Sequence, residues 1–157
     1  FLTVEKYSLA SSIKHGTRRI NAVASGFKTK KSRSRESVKI MTWALRSFDT
    51  IQVAKKNAII GSLDVWLGKK NKVEVVVLED VYLTVPKRKK NIIKTELEYN
   101  TPIQAPIAKG DKLGSLNIYV AGEFEKKIDI LSGEDIKRAN IFSRLLKSFN
   151  FLVWGNV

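Results

Sequence analysis

The chain has 157 residues, with 29 Lys+Arg against 15 Asp+Glu and a formal net charge of +14. A hydrophobic fraction of 43% beside 28% charged residues belongs to a folded chain of one ordinary domain or two small ones, which excludes wholesale disorder. The lack of cysteine excludes disulfides, thiolate catalysis and Cys-ligated zinc; the single His15 leaves little for a His-based metal site or a Ser-His pair, and no apolar run of about 18 residues offers a spanning helix.

In chain order, Tyr7–Ile13 and Arg19–Gly26 are short β-prone runs. They are joined by Lys14-His15-Gly16-Thr17, which has the Gly and polar content of a hairpin turn. A helix is expected next, capped by Ser32 or Ser34 and with Glu36 in its first turn, where a carboxylate suits the dipole. Val38, Ile40, Met41, Trp43, Ala44, Leu45 and Phe48 supply a broad apolar face at helical spacing, with Trp43 and Phe48 read as core.

From Asp49 to Ser132 nearly everything reads as β. Val65–Leu67, Val73–Leu78, Val81–Val85, Ile92–Tyr99, Leu113–Val120 and Lys126–Leu131 are strand candidates between Gly, Pro, Asn and Asp turn signals. Their regular spacing predicts a small sandwich or barrel, and the alternation over 94–99 gives one wet and one buried face. Beyond Gly133, Ile141, Phe142, Leu145, Leu146, Phe149, Leu152 and Val153 recur at helical intervals, with Trp154 near the end. With Lys137 and Arg138 flanking it, this stretch suits a helix lying in an anionic lipid interface or one docked on the domain.

Charge is uneven. Residues 1–56 carry 13 basic and 3 acidic side chains, residues 57–157 carry 16 and 12. The basic clusters lack interleaved aromatics and any nucleic-acid-binding motif, so a nucleic-acid partner is not expected. Ser-x-x-Lys occurs at Ser11/Lys14 and Ser25/Lys28, and Ser-x-Asn at Ser115/Asn117 and Ser148/Asn150. With 13 Ser and 21 Lys, chance alone gives roughly two Ser-x-x-Lys matches. Both fall at strand ends rather than on the helical turn that brings amine to hydroxyl, so neither is read as catalytic. No carboxylate pair, phosphate loop or metal-ligand cluster stands out. The residues alone describe a binding or structural piece.

An ordered set of residues is more specific. It runs Tyr7 to Ser12, Arg18-Arg19-Ile20 with Val23, Gly26, Arg33 with Glu36-Ser37, and Thr42-Trp43-Ala44-Leu45-Arg46 with Phe48. It continues through Val65-Trp66-Leu67-Gly68, Glu79 to Pro86, Ala105-Pro106-Ile107 with Lys109-Gly110-Asp111, Gly114, and Phe142 in the tail. This resembles the C-terminal part of the low-molecular-mass penicillin-binding proteins, the serine-type D-alanyl-D-alanine carboxypeptidases.

The resemblance implies an α+β, mostly β chain in three parts. Residues 1–48 would be the end of a penicillin-binding catalytic domain (two strands and a helix), 49–133 a small all-β sandwich-like domain, and 134–157 an amphipathic membrane-anchor helix. It implies a hydrolase of peptidoglycan synthesis and remodelling that removes the terminal D-Ala from stem pentapeptides, without metal or cofactor, on the periplasmic face of the bacterial cytoplasmic membrane. The catalytic Ser-x-x-Lys, Ser-x-Asn and Lys-Thr-Gly of that family have no counterparts here. The chain is therefore expected to be the inactive rear of a carboxypeptidase: a fragment whose front precedes it, one part of a split enzyme with its front on a partner chain, or a degraded relic. Arg33 is the position at which the family's active-site rim places an Arg suited to a substrate carboxylate. Ile141, Phe142, Leu145, Leu146, Phe149, Leu152, Val153 and Trp154 would contact the membrane. The alternatives are a non-enzymatic, membrane-tethered β-domain for protein interaction and, behind it, a basic nucleic-acid-binding protein.

Overall fold

The computed structural model describes residues 6–16, 18–141, 145 and 149. The chain begins with an antiparallel hairpin of β1 (Tyr7–His15) and β2 (Arg18–Phe27). Gly16 at its tip has φ 61°, the left-handed backbone that glycine adopts without a Cβ penalty. Helix α1 (Lys30–Ser47) follows and contacts both strands.

The cap is not Ser32 or Ser34 but Thr29. Its hydroxyl accepts from the Ser32 amide at 3.0 Å, while Ser32 Oγ accepts from the Thr29 amide at 3.1 Å. Ser32 is thus the reciprocal partner of a capping box, and moving the cap forward takes Glu36 out of the first turn, which holds no acid.

Two compact units follow from the internal contacts, one of residues 1–51 with 84–90 and the other of 52–83 with 91–157. In the first, Trp43 is 56% exposed and meets Phe48 edge-on at 5.1 Å, so Trp43 is not the core residue its spacing implies. The physical reason is that the apolar positions wrap around both flanks of α1. Ser37 is buried and Met41, Ala44 and Leu45 are half-buried, whereas Val38, Ile40 and Trp43 stand exposed on its flanks.

Strand β3 (Phe48–Ala54) leaves α1 without a turn and pairs with β6 (Val81–Pro86) in a two-stranded ribbon. The second unit is built on β4 (Ile59–Trp66), β5 (Lys72–Val76), β7 (Ile93–Tyr99), β8 (Ile103–Gln104), β9 (Lys112–Val120) and β10 (Glu123–Ser132). Their order in one sheet is β7-β9-β10-β5-β4-β8, antiparallel except for the β4–β8 pair. The sheet folds over on itself: a Cβ at Gly61 on β4 would stand 2.9 Å from Leu97 Cδ1 on β7. Leu63, Val73, Val75, Val77, Ile118, Ile130 and Ile136 fill the enclosed space, each at most 2% exposed. At about 1.5–3 kcal/mol for each buried aliphatic side chain, this core dominates the unit's stability. Mostly β and sandwich-like is therefore what the chain forms here.

Residues 134–140, assigned from sequence to the tail helix, are extended. Ile136 is 2% exposed and exchanges backbone hydrogen bonds with Ile107 at 2.8 and 2.9 Å, so the sheet holds it as core. The described tail positions Ile141, Leu145 and Phe149 are helical and 65–72% exposed. Phe142, Leu146, Leu152, Val153 and Trp154 lie outside the described residues. No helix among the described residues is long and apolar enough to cross a membrane.

Candidate functional site

Arg33 stands in the first turn of α1, where its amide donates to the Thr29 carbonyl at 3.0 Å. Its guanidinium carbon lies 5.8 Å from the Tyr7 ring centroid, a cation–π distance that ties the helix start to the start of β1. Around it Lys28, Lys30, Lys31 and Arg35 bring further positive charge to a helix end that is itself positive. Glu36 offsets part of this, accepting from Arg35 at 2.8 Å and Lys39 at 3.2 Å, and those two hydrogen bonds hold its carboxyl below the usual 4.5. The arrangement is an anion-seeking corner without a nucleophile.

A groove of about 450 Å³ runs between β1 and α1, floored by Leu9, Ile13, Met41 and Leu45, with Ser11, Ser34, Ser37 and Thr42 hydroxyls along it. Ser37 Oγ is buried there with no partner among the described residues. At the other end of α1, Arg18 closes the helix. Its Nη1 donates to the Phe48 carbonyl and its Nη2 to the Ala44 carbonyl, both at 2.7 Å. Sequence reading placed Arg18 in the family-like set but gave it no structural role. The signal available was a basic residue placed to meet orphan carbonyls at a helix C-terminus, which needs the fold to be seen.

The serine motifs have no catalytic geometry. Ser11 and Lys14 sit on β1, Ser25 on β2 with Lys28 beyond it, and no pair shares a helical turn. Ser115 and Asn117 both donate to Glu98 Oε2, at 3.5 and 2.8 Å, and are occupied there. Ser148 and Asn150 lie outside the described residues. Glu79-Asp80 and Glu134-Asp135 do structural work: Asp80 accepts from the Lys56 amide at 2.9 Å, Asp135 from the Lys109 amide at 2.7 Å, and Glu134 pairs with Lys70. Among the described residues there is no acidic, His or Cys group able to hold a metal ion.

The charge is concentrated in the first unit. Residues 1–51 hold 11 Lys+Arg and residues 84–90 add four more, against three acids. The apolar burial is concentrated in the second. Of all the buried apolar side chains among the described residues, only Val85 belongs to the first unit.

Comparison with known proteins accounts for both units. The family model described as penicillin-binding protein 5, C-terminal domain, matches residues 48–138. D-alanyl-D-alanine carboxypeptidase DacA of Escherichia coli is 28% identical over 141 residues, 89% of this chain and 35% of that protein. DacF of Bacillus subtilis, of the same description, is 30% identical over 144 residues, 91% of this chain and 37% of its own length. The solved structure of penicillin binding protein 5 from Haemophilus influenzae superposes with a TM-score of 0.76 at 27% identity, covering 87% of this chain and 40% of that one. The chain thus spans a little over a third of the curated relatives it matches. It belongs to the penicillin-binding protein 5 C-terminal domain family.

Proposed function

We propose that this chain is the C-terminal portion of a serine-type D-alanyl-D-alanine carboxypeptidase that trims terminal D-Ala from peptidoglycan stem pentapeptides. In this reading residues 1–48 finish the catalytic domain, 49–133 form the β-domain, and 134–157 tether the enzyme to the periplasmic face of the cytoplasmic membrane. The observation that carries it is the reach of the likeness. The match to carboxypeptidases extends over 141 residues of this 157-residue chain, well beyond the 48–138 domain, and so takes in α1. That helix and the β1–β2 hairpin before it bury no apolar side chain of their own among the described residues, as expected of pieces whose sheet and helix partners lie elsewhere.

The chemistry follows from that division. The acyl-serine step needs a nucleophile, a lysine base and a substrate-binding strand, and none of the three is supplied by this chain's residues. The chain's contribution is positional. Arg33, at the end of α1 nearest β1, offers a guanidinium fork to the terminal carboxylate of the peptide. Exposed Ile141, Leu145 and Phe149 share one helical face for contact with anionic lipid.

The test is acylation with a fluorescent penicillin. The isolated chain should take up no label, and the parent reading frame should be labelled and release D-Ala from a soluble pentapeptide. An adduct on the isolated chain, or a parent that neither labels nor hydrolyses, overturns the reading. Flotation with anionic vesicles tests the tether: removal of residues 140–157 should abolish it, and unchanged flotation removes the membrane role.

A further inference from the structure

The outward face of β7, β9 and β10 is arranged as three cross-strand rows. Lys94, Tyr119 and Phe124 form the first, Glu96, Asn117 and Lys127 the second, Glu98, Ser115 and Asp129 the third. Phe124 is 58% exposed and meets Tyr119 edge-on at 5.9 Å, although it lies on a sheet whose other face already holds the core. In the middle, Asn117 and Lys127 converge on Glu98 Oε2, each at 2.8 Å. Asn117 Oδ1 is enclosed and has no partner among the described residues.

We propose that this face binds an uncharged, N-acetylated amino-sugar polymer, lying along the strands with one sugar ring on the Tyr119–Phe124 pair. The proposal rests on the cell-wall reading above, because a glycan strand is what carries the stem peptides.

Three physical features select this ligand class. The face balances its charges, with Lys94 and Lys127 beside Glu96, Glu98 and Asp129, and Lys112 paired to Asp129 at 2.8 Å. A polyanion would be drawn to the basic first unit instead. The exposed apolar area is two rings bounded by charged residues, too small for the apolar centre of a protein interface that buries roughly 1,200–2,000 Å². A sugar ring, by contrast, has one C–H face to lay on an aromatic and a rim of hydroxyl and acetamido groups. The fixed Asn117–Glu98–Lys127 row offers that rim both donors and acceptors. The enclosed Asn117 Oδ1 has no donor among the described residues, and an acetamido N–H brought to it would satisfy that acceptor. The repeated rows, about 7 Å apart along the strands, suit an extended polymer read over several residues.

The experiment is calorimetric titration of the full chain with the N-acetylglucosamine tetramer, with polyglutamate as an anionic control. Saturable binding at roughly millimolar Kd or tighter, unaffected by added salt, is expected. Phe124→Ala and Tyr119→Ala should each weaken it by about tenfold, and Phe124→Tyr should retain it. Tyr82→Ala, which removes a 51% exposed aromatic elsewhere, should leave it unchanged. Circular dichroism of every variant must match the parent chain. No saturation by the tetramer, binding that survives both alanine variants, or binding that salt removes would each overturn the proposal. The carboxypeptidase reading is scored separately, by D-Ala release from a soluble pentapeptide without glycan, so either can fail while the other stands.

Discussion

Arg18→Ala is the substitution that best tests how the hairpin, α1 and β3 are held together. Arg18 opens β2, yet its two donors end on the Ala44 and Phe48 carbonyls, among the last orphan acceptors of α1. A hydrogen bond to a charged donor contributes about 1.5–3 kcal/mol, and a cation at a helix C-terminus about 0.3–1 kcal/mol more. Both contacts are only partly buried, so water recovers some of the loss when the guanidinium is removed. The expected net destabilisation of the first unit is therefore about 2–3 kcal/mol. Amide hydrogen exchange read residue by residue is the assay, because the second unit serves as an internal control. Exchange in the last turns of α1 and the early residues of β2 should accelerate about 30- to 150-fold. Amides of Val73, Val75, Ile118 and Ile130 should not change. Arg18→Lys reaches one carbonyl at a time and should recover about half the effect. If Arg18→Ala accelerates α1 by less than about threefold, the guanidinium is ornamental and the reasoning is wrong.

Three further outcomes follow from the same contacts. Unmodified, the 18–51 amides should exchange faster than those of β4, β5, β9 and β10, since among the described residues all but one of the buried apolar side chains lie in the second unit; better protection of the first unit would contradict the core assignment. Glu98, lowered from its ordinary 4.5 chiefly by the Lys127 hydrogen bond and then by Asn117, should titrate below that value by carboxyl-carbon NMR; its contribution is present above the unfolded pKa and disappears as pH falls through the folded one, and Lys127→Met should move the midpoint upward. Gly114→Ala should lower the second unit's melting temperature, because a Cβ there overlaps the Glu98 carbonyl and stands 2.8 Å from Tyr99 Cβ; overpacking of this kind costs about 1–3 kcal/mol, and an unchanged transition would show that β7 gives way freely.

The strands that sequence reading located, 73–78, 81–85, 92–99, 113–120 and 126–131, alternate cleanly or carry β-branched runs, and each has a counterpart in the fold. Three strands escaped it wholly or in part, for identifiable reasons. β3 begins at Phe48 with no Gly, Pro or Asn to mark the exit from α1, so its residues read as the end of the helix and a lead into the next segment. β4 was read only from Val65 on, because residues 59–64 carry Gly61 and Asp64, both poor strand formers, and Gly61 makes a close approach to Leu97 that only the folded sheet supplies. β8 is two residues long and is defined by its parallel pairing with Val65 and Trp66 alone. The capping box was misread because its closing residue is Ser32 rather than Glu or Gln, and a serine in that position passes for the cap itself. From the residues alone Arg33 was legible as a basic residue near a helix start, and only the family resemblance gave it a place at an active-site rim. That its guanidinium stands over the Tyr7 ring depends on the 25 intervening residues, most of them the hairpin.

Charge and burial in this chain are segregated in opposite directions, and the two facts bear on each other. The turn at Lys87–Lys89 joins the first unit through β6, so four consecutive basic residues distant in sequence add to a region already short of acids. Like charges gathered in one small body oppose its compaction, and a body with no apolar core of its own has little to set against that repulsion. Lys90 does find Asp49 at 2.9 Å, a contact that lowers the Asp49 carboxyl, but both groups are solvent-exposed and such pairs contribute little. The first unit should therefore be a dependent structure: ordered where a larger sheet covers the groove over Leu9, Ile13 and Met41, and loosened where nothing does. The second unit, near charge balance and closed around Leu63, Val75 and Ile130, carries no such dependence.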